Sequence, residues 1–175
     1  MKMKKIWIFA VLLFLSSQLK AQEKNQLNEM IASTINSYIK NDSIFWAEEK
    51  AINKNATNSY YLYKDSCYYY LCIDELPDAF PFSSVGKVAL FSLHNIEGYP
   101  NSFKKILNKG IRAIFVKIRL SNNELTVRVD VCYVQRTKKR HIKISYGEGD
   151  DCVHTYKYSC DNQNWNLVNA KQEGI

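Results

Sequence analysis

Between Glu124 and Gln135 the chain reads ELTVRVDVCYVQ, and from Leu125 to Tyr133 apolar and polar side chains alternate without a break. Successive side chains of a strand point to opposite faces. Leu125, Val127, Val129, Val131 and Tyr133 therefore share one face, and Thr126, Arg128, Asp130 and Cys132 the other. A strand so patterned is buried on one side and serves as a ruler for its neighbours. A turn over Ser121 to Glu124 sets Leu120 opposite Leu125, Ile118 opposite Val127, Val116 opposite Val129 and Ile114 opposite Val131. A slip of one residue would turn all four pairs out of the core. On the other side, a loop at Arg136 to Lys139 predicts Tyr133 opposite Ile142, Val131 opposite Ile144 and Val129 opposite Tyr146. A turn over Gly147 to Asp151 then leads to a strand whose buried face holds Cys152, His154, Tyr156 and Tyr158. A last turn, Asp161 to Asn164, brings Trp165 beside Cys160 and Leu167 beside Tyr158, making five consecutive antiparallel strands.

Upstream the period changes. Leu27, Met30, Ile31, Thr34, Ile35 and Tyr38 fall at the three-four spacing of a helix over Gln22 to Asn41 that buries one stripe. Asp42 to Asn58 reads as a short surface helix dissolving into loop, and Ser59 to Ile73 as two tyrosine-rich strands around a Lys64-Asp65-Ser66 turn. Tyrosine is an ordinary strand residue, and that role takes precedence over a sugar-stacking one. Pro77 and Pro81 make Asp74 to Phe82 a loop, with the Phe rings tucked beneath it or offered as a contact. Gly86 to Leu93 is a further strand, followed by a turn at His94 to Gly98. Asn101 or Ser102 then caps a short helix that ends at Lys109 and Gly110.

The expected fold is α+β, with an N-terminal helix on the apolar face of a curved antiparallel sheet and a short helix inserted before the last five strands. In layout alone this resembles the cystatin-like and NTF2-like architectures.

Met1 to Ala21 has the parts of a secretory leader: Lys2, Lys4 and Lys5, then an unbroken apolar run from Ile6 to Leu15, then Ala21 at the cut. The run is too short to span a bilayer comfortably. The expectation is an exported protein, periplasmic or extracellular, with one domain over 22–175 and no transmembrane segment in the mature chain. Four of the 24 basic residues lie in the leader, leaving 20 against 17 acidic ones. The remaining charge is uneven: residues 22–100 sum to −4, residues 101–145 to +10 and residues 146–175 to −3. Nucleic acid does not suit an exported chain, so the partner expected for the basic middle is an acidic protein or an anionic polysaccharide. Its candidate binding residues are Lys117, Arg119 and Arg128 on the outer sheet face, Arg136, Lys138, Lys139 and Arg140 at the adjoining turn, and Lys143 beyond.

Catalytic chemistry is sparse. Cys152 and His154 stand two apart on one face, with Asp150 and Asp151 upstream, and are the one pair to test as nucleophile and base. Their spacing of roughly 6 to 7 Å along a strand exceeds hydrogen-bond reach, which favours a non-catalytic binding domain. The competing reading is a ligand-binding or hydrolytic pocket between the helix carrying Tyr38 and the sheet, lined by His154, Tyr156, Tyr158 and Trp165. No cofactor is implied. His141 on the outer face, His154 on the inner and His94 in a distant turn do not share a metal, and Glu148 to Asp151 lacks the ligand order of a calcium loop. The five cysteines lack CxxC spacing, Cys67 and Cys72 point to opposite faces, and Cys152 and Cys160 are too far apart to bridge. Cys132 faces outward beside Lys143 in the expected register.

Overall fold

In a computed structural model of the 175-residue chain, the described residues are 25–44, 69–86, 88–138 and 141–173. The leader, the surface helix expected after Asp42, the first tyrosine-rich strand with its turn, Cys67, Lys139 and Arg140 lie outside them.

The helical spacing forms α1 over residues 25–44, with Met30, Ile31, Ala32, Ile35 and Tyr38 buried along one stripe and Glu29, Ser33 and Lys40 exposed. Thr34 is buried without penalty because its hydroxyl donates to the Met30 carbonyl one turn back, at 2.9 Å. Asn36 clamps the proline loop from both ends of its amide: Nδ2 donates to Ser84 O at 2.9 Å, and Oδ1 accepts from Gly86 N at 3.0 Å. Phe80 is tucked under that loop in the core. None of the described helices is long and apolar enough to cross a membrane.

The strands are β1 (Tyr69–Cys72), β2 (Val88–Phe91), β3 (Ile111–Ser121), β4 (Glu124–Arg136), β5 (Ile142–Ser159) and β6 (Asn164–Glu173), in the order β2-β1-β3-β4-β5-β6. α2 (Asn101–Lys109) precedes β3. The protein is thus α+β with a mostly antiparallel sheet. One edge departs from expectation, because β1 runs parallel to both β2 and β3. The stretch through α2 supplies the long crossover that a parallel neighbour requires.

β3 and β4 pair in the expected register at all four apolar pairs. Asn122 and Asn123 make the turn with φ of 49° and 62°, a left-handed conformation that asparagine tolerates better than most residues. β4 and β5 do not follow the expectation. Tyr133 faces Ser145, Val134 faces Ile144 and Arg136 faces Ile142, an odd displacement that moves Ile142 and Ile144 to the outer face. The supposed turn at Gly147 to Asp151 is a bulge within one continuous strand. The partners of β4 jump from Asp151 at Asp130 to Tyr146 at Cys132, leaving residues 147–150 opposite Val131 alone. Five expected strands are therefore four. β6 is displaced by an even step, with Trp165 beside Tyr158 and Leu167 beside Tyr156, so both residues keep their expected face.

The odd displacement has a packing cause. Both faces of the sheet are covered, at opposite ends. α1 packs on one face against Val116, Leu125, Val127, Val129, Val131, Cys152 and Tyr156. α2 packs on the other through Leu107 and Phe103, over Phe91, Ile111, Ala113, Phe115, Cys132 and Val134. Ile142 and Ile144 complete this second core, which a register facing them inward would leave unfilled. Cys132 keeps the expected outer face but is buried there under α2, with Tyr146 and not Lys143 across from it. The N-cap of α2 is Pro100, without a side-chain capping bond, rather than Asn101 or Ser102; Pro100 O accepts from Lys104 N at 3.1 Å.

Candidate functional site

Beyond the reach of α2, the outer face of β3 to β6 is open, and the register arranges it in rows. Lys117, Arg128, Val153 and Lys171 form one row; Arg119, Thr126, Thr155 and Asn169 form the next toward the sheet end. On the other side lie Phe115, Asp130 and Asp151. A basic row is thus flanked by hydroxyls and an amide on one side and by two carboxylates on the other.

Lys117 and Arg128 stand directly opposite each other, as expected, and like charges so placed repel. Asp130 resolves the conflict. Its Oδ2 accepts from Lys117 Nζ at 2.6 Å and its Oδ1 from Arg128 Nε at 2.5 Å. Arg128 also reaches Asp151 Oδ2 at 2.8 Å, and Lys117 Nζ lies 5.2 Å from the centre of the exposed Tyr146 ring. The carboxylate side chains are over nine-tenths buried, while Lys117 and Arg128 are about half exposed. Burial would raise the Asp130 pKa, but hydrogen bonds from Lys117 and Arg128 outweigh it and hold the carboxyl below its usual range. The bond to Asp130 raises the Lys117 pKa in turn. Asp151 Oδ1 is buried without a hydrogen-bond partner, which costs about 1–3 kcal/mol and leaves Arg128 as the described contact that balances this carboxylate. The arrangement fixes two long cationic side chains from beneath and leaves their outer surfaces to solvent.

The remaining basic candidates do not join this group. Arg136 lies near the opposite end of β4, largely buried, and donates to Glu97 Oε1 at 2.9 Å. Lys138 is exposed in the loop that follows. Lys143 faces Gln135 and so points to the other side of the sheet from Ile142 and Ile144, correcting its expected placement on the outer face beside Cys132. Asp151, Tyr146 and Thr155 were hidden from sequence reasoning, because the expected turn at Gly147 to Asp151 took this half of β5 away from β4.

The Cys152 and His154 pair takes the inner face, both residues buried in contact with the α1 layer or beside it. Burial pushes the Cys152 thiol up to about 11, with Asp151 adding to the rise, opposite to what an activated nucleophile requires. The nearest polar partner of His154 Nδ1 is Tyr156 Oη at 3.3 Å, and Tyr156 in turn donates to Met30 O at 3.3 Å. His141 sits in the loop after β4, not on a strand face, its carbonyl accepting from Thr137 N at 2.8 Å. Among the described residues, no group of three or more His, Cys, Asp or Glu side chains is placed to hold a metal ion. The described cysteines Cys72, Cys132, Cys152 and Cys160 are all free.

Burial lowers the His154 pKa, and the sign of the linkage follows. A folded imidazole with a depressed pKa takes up its proton later than the unfolded one. Its contribution is complete above the unfolded value near 6.5 and falls away as pH drops below it. The urea midpoint should therefore decrease between pH 8 and pH 5.5 more steeply in the native protein than in His154→Leu. An equal pH dependence in the two proteins would show that His154 takes up its proton as readily in the folded chain as in the unfolded one.

No family model matches the chain, and no curated protein and no solved structure matches it either.

Proposed function

We propose that the protein is an exported, non-catalytic binding protein that holds anionic groups of an acidic polymer on the outer face of β3 to β6. One observation carries the reading: Lys117 and Arg128 are held side by side by a buried Asp130, next to the exposed Arg119 and the half-buried Thr126 and Thr155. Paying like-charge repulsion to keep two cations at one spot suits recognition of a carboxylate or sulfate better than it suits stability alone. The packed α1 interface, filled by Ile31, Ile35 and Tyr38, supports a binding role over a catalytic one. In this reading α1 lies across its half of the sheet in a cystatin-like or NTF2-like manner, and Met1 to Ala21 is removed on export.

Heparin and poly-glutamate test the sulfated-sugar and acidic-protein forms of the ligand. Binding should occur at low salt and weaken steeply as salt rises. Lys117→Ala with Arg119→Ala should reduce affinity about tenfold, equivalent to about 1.4 kcal/mol, whereas Lys143→Ala on the other face should leave it unchanged. Absence of binding to both polymers at low salt sinks the proposal.

A further inference from the structure

The two edges of the sheet differ. β2 is four residues long, whereas β6 runs for ten and has no neighbour on its outer side among the described residues. From Asn164 to Lys171 every residue of β6 except Trp165 is exposed, including Leu167 at 51% and Val168 at 55%. A long edge with exposed apolar residues and a row of unpaired backbone groups is a template for another strand. There is no proline in β6; its one lysine, Lys171, lies on the outer face, and the bulge at Val168 is its one irregularity.

The pattern of the strand identifies which strand fits. A bulge at Val168 shifts the in-out alternation by one, so that Trp165, Leu167, Ala170 and Gln172 share the inner face while Asn164, Asn166 and Lys171 share the outer one. This pattern reads the same from either end. Reflected about the point between Val168 and Asn169, residue 164 falls opposite 173, Trp165 opposite Gln172, Asn166 opposite Lys171 and Leu167 opposite Ala170, each inner position meeting an inner one. The register uses all ten residues and never places one lysine against another. It sets each exposed Leu167 beside a small Ala170 and gathers both copies of Val168 at the centre.

We infer that β6 pairs antiparallel with β6 of a second copy about a two-fold axis between Val168 and Asn169, joining two six-stranded sheets edge to edge. The interface is isologous and closes at two copies, so it consumes the exposed edge without growing a fibre. The cations that carry the anion-binding reading, Lys117, Arg119 and Arg128, lie on β3 and β4; of their two rows only Asn169 and Lys171 belong to β6, and Asn166 lies in neither row, so either proposal can fail without the other.

Sedimentation of the purified protein over a range of concentrations tests the pairing. The native chain should sediment as a dimer that dissociates on dilution. Asn166→Lys sets a lysine opposite Lys171 of the second copy and should weaken the dimer at least tenfold. Asn166→Glu at the same exposed site sets an opposite charge there and should not weaken it. Val168→Lys should give a monomer, with circular dichroism reporting whether the fold survives; if it does not, the Asn166 pair decides alone. A native protein that is monomeric at every concentration, or a dimer indifferent to Asn166→Lys, overturns the inference.

Discussion

Replacing Gly110 with alanine is expected to cost about 4 kcal/mol of stability, read as a lower urea midpoint with an unchanged slope. Gly110 closes α2 and opens β3 with φ of 96° and ψ of 145°, a region open to glycine and closed to residues with a side chain. Its backbone N–H binds the carbonyls of Ile106 and Leu107, so the conformation is held by the end of the helix and does not relax freely. A Cβ built there overlaps the Tyr133 hydroxyl and the ring carbon that bears it. Tyr133 could escape only by giving up its bond to Lys109 O, 2.5 Å away. The cost thus has two sources. The double variant Gly110→Ala with Tyr133→Ala removes the collision and keeps the backbone strain, and should recover part of the loss. If the double variant is no more stable than Gly110→Ala, Tyr133 is not the obstacle.

Ile35→Ala should have nearly as large an effect, about 3–4 kcal/mol, because it empties the centre of the α1 layer. Ile35 is fully buried in the cluster formed with Val116, Val127 and Val129, and the rigid sheet beneath limits collapse around the void. Leu120→Ala provides the contrast: it removes a side chain from the same sheet that is 66% exposed, and should change stability by less than about 0.5 kcal/mol. Similar losses in thermal melts of the two variants would mean that α1 is not a main support of the fold.

Legibility from sequence followed the strength of the local pattern. α1 and the β3 to β4 hairpin were readable because a single buried face imposes its period, and no other register satisfies four apolar pairs at once. The reading broke at Cys132. From there the outer face of β4 is also buried, under α2, so Cys132, Tyr133 and Val134 no longer distinguish the two sides. Without that distinction Ile142 and Ile144 were assigned to the wrong face, and glycine and acidic residues at 147–150 looked like a turn when they are a bulge. The parallel edge was not readable either, since strands of four residues such as β1 and β2 carry no directional signal. For the candidate site, the pairing of Lys117 with Arg128 was legible from the hairpin register. Its anchoring by both Asp130 and Asp151 depended on β5 crossing the bulge, a tertiary outcome.

The mixed direction of the sheet sets an order of assembly. β3, β4, β5 and β6 meet through short turns, so each closure costs little chain entropy, whereas β1 reaches β3 only after the whole stretch from Ile73 to Gly110 has been placed. During refolding, amides of the meander should gain protection from hydrogen exchange before those of Tyr70 and Leu71. The strands that carry Lys117, Arg119 and Arg128 would then be in place while the parallel edge is still forming, and a newly folding chain would present its cationic face ahead of its complete core.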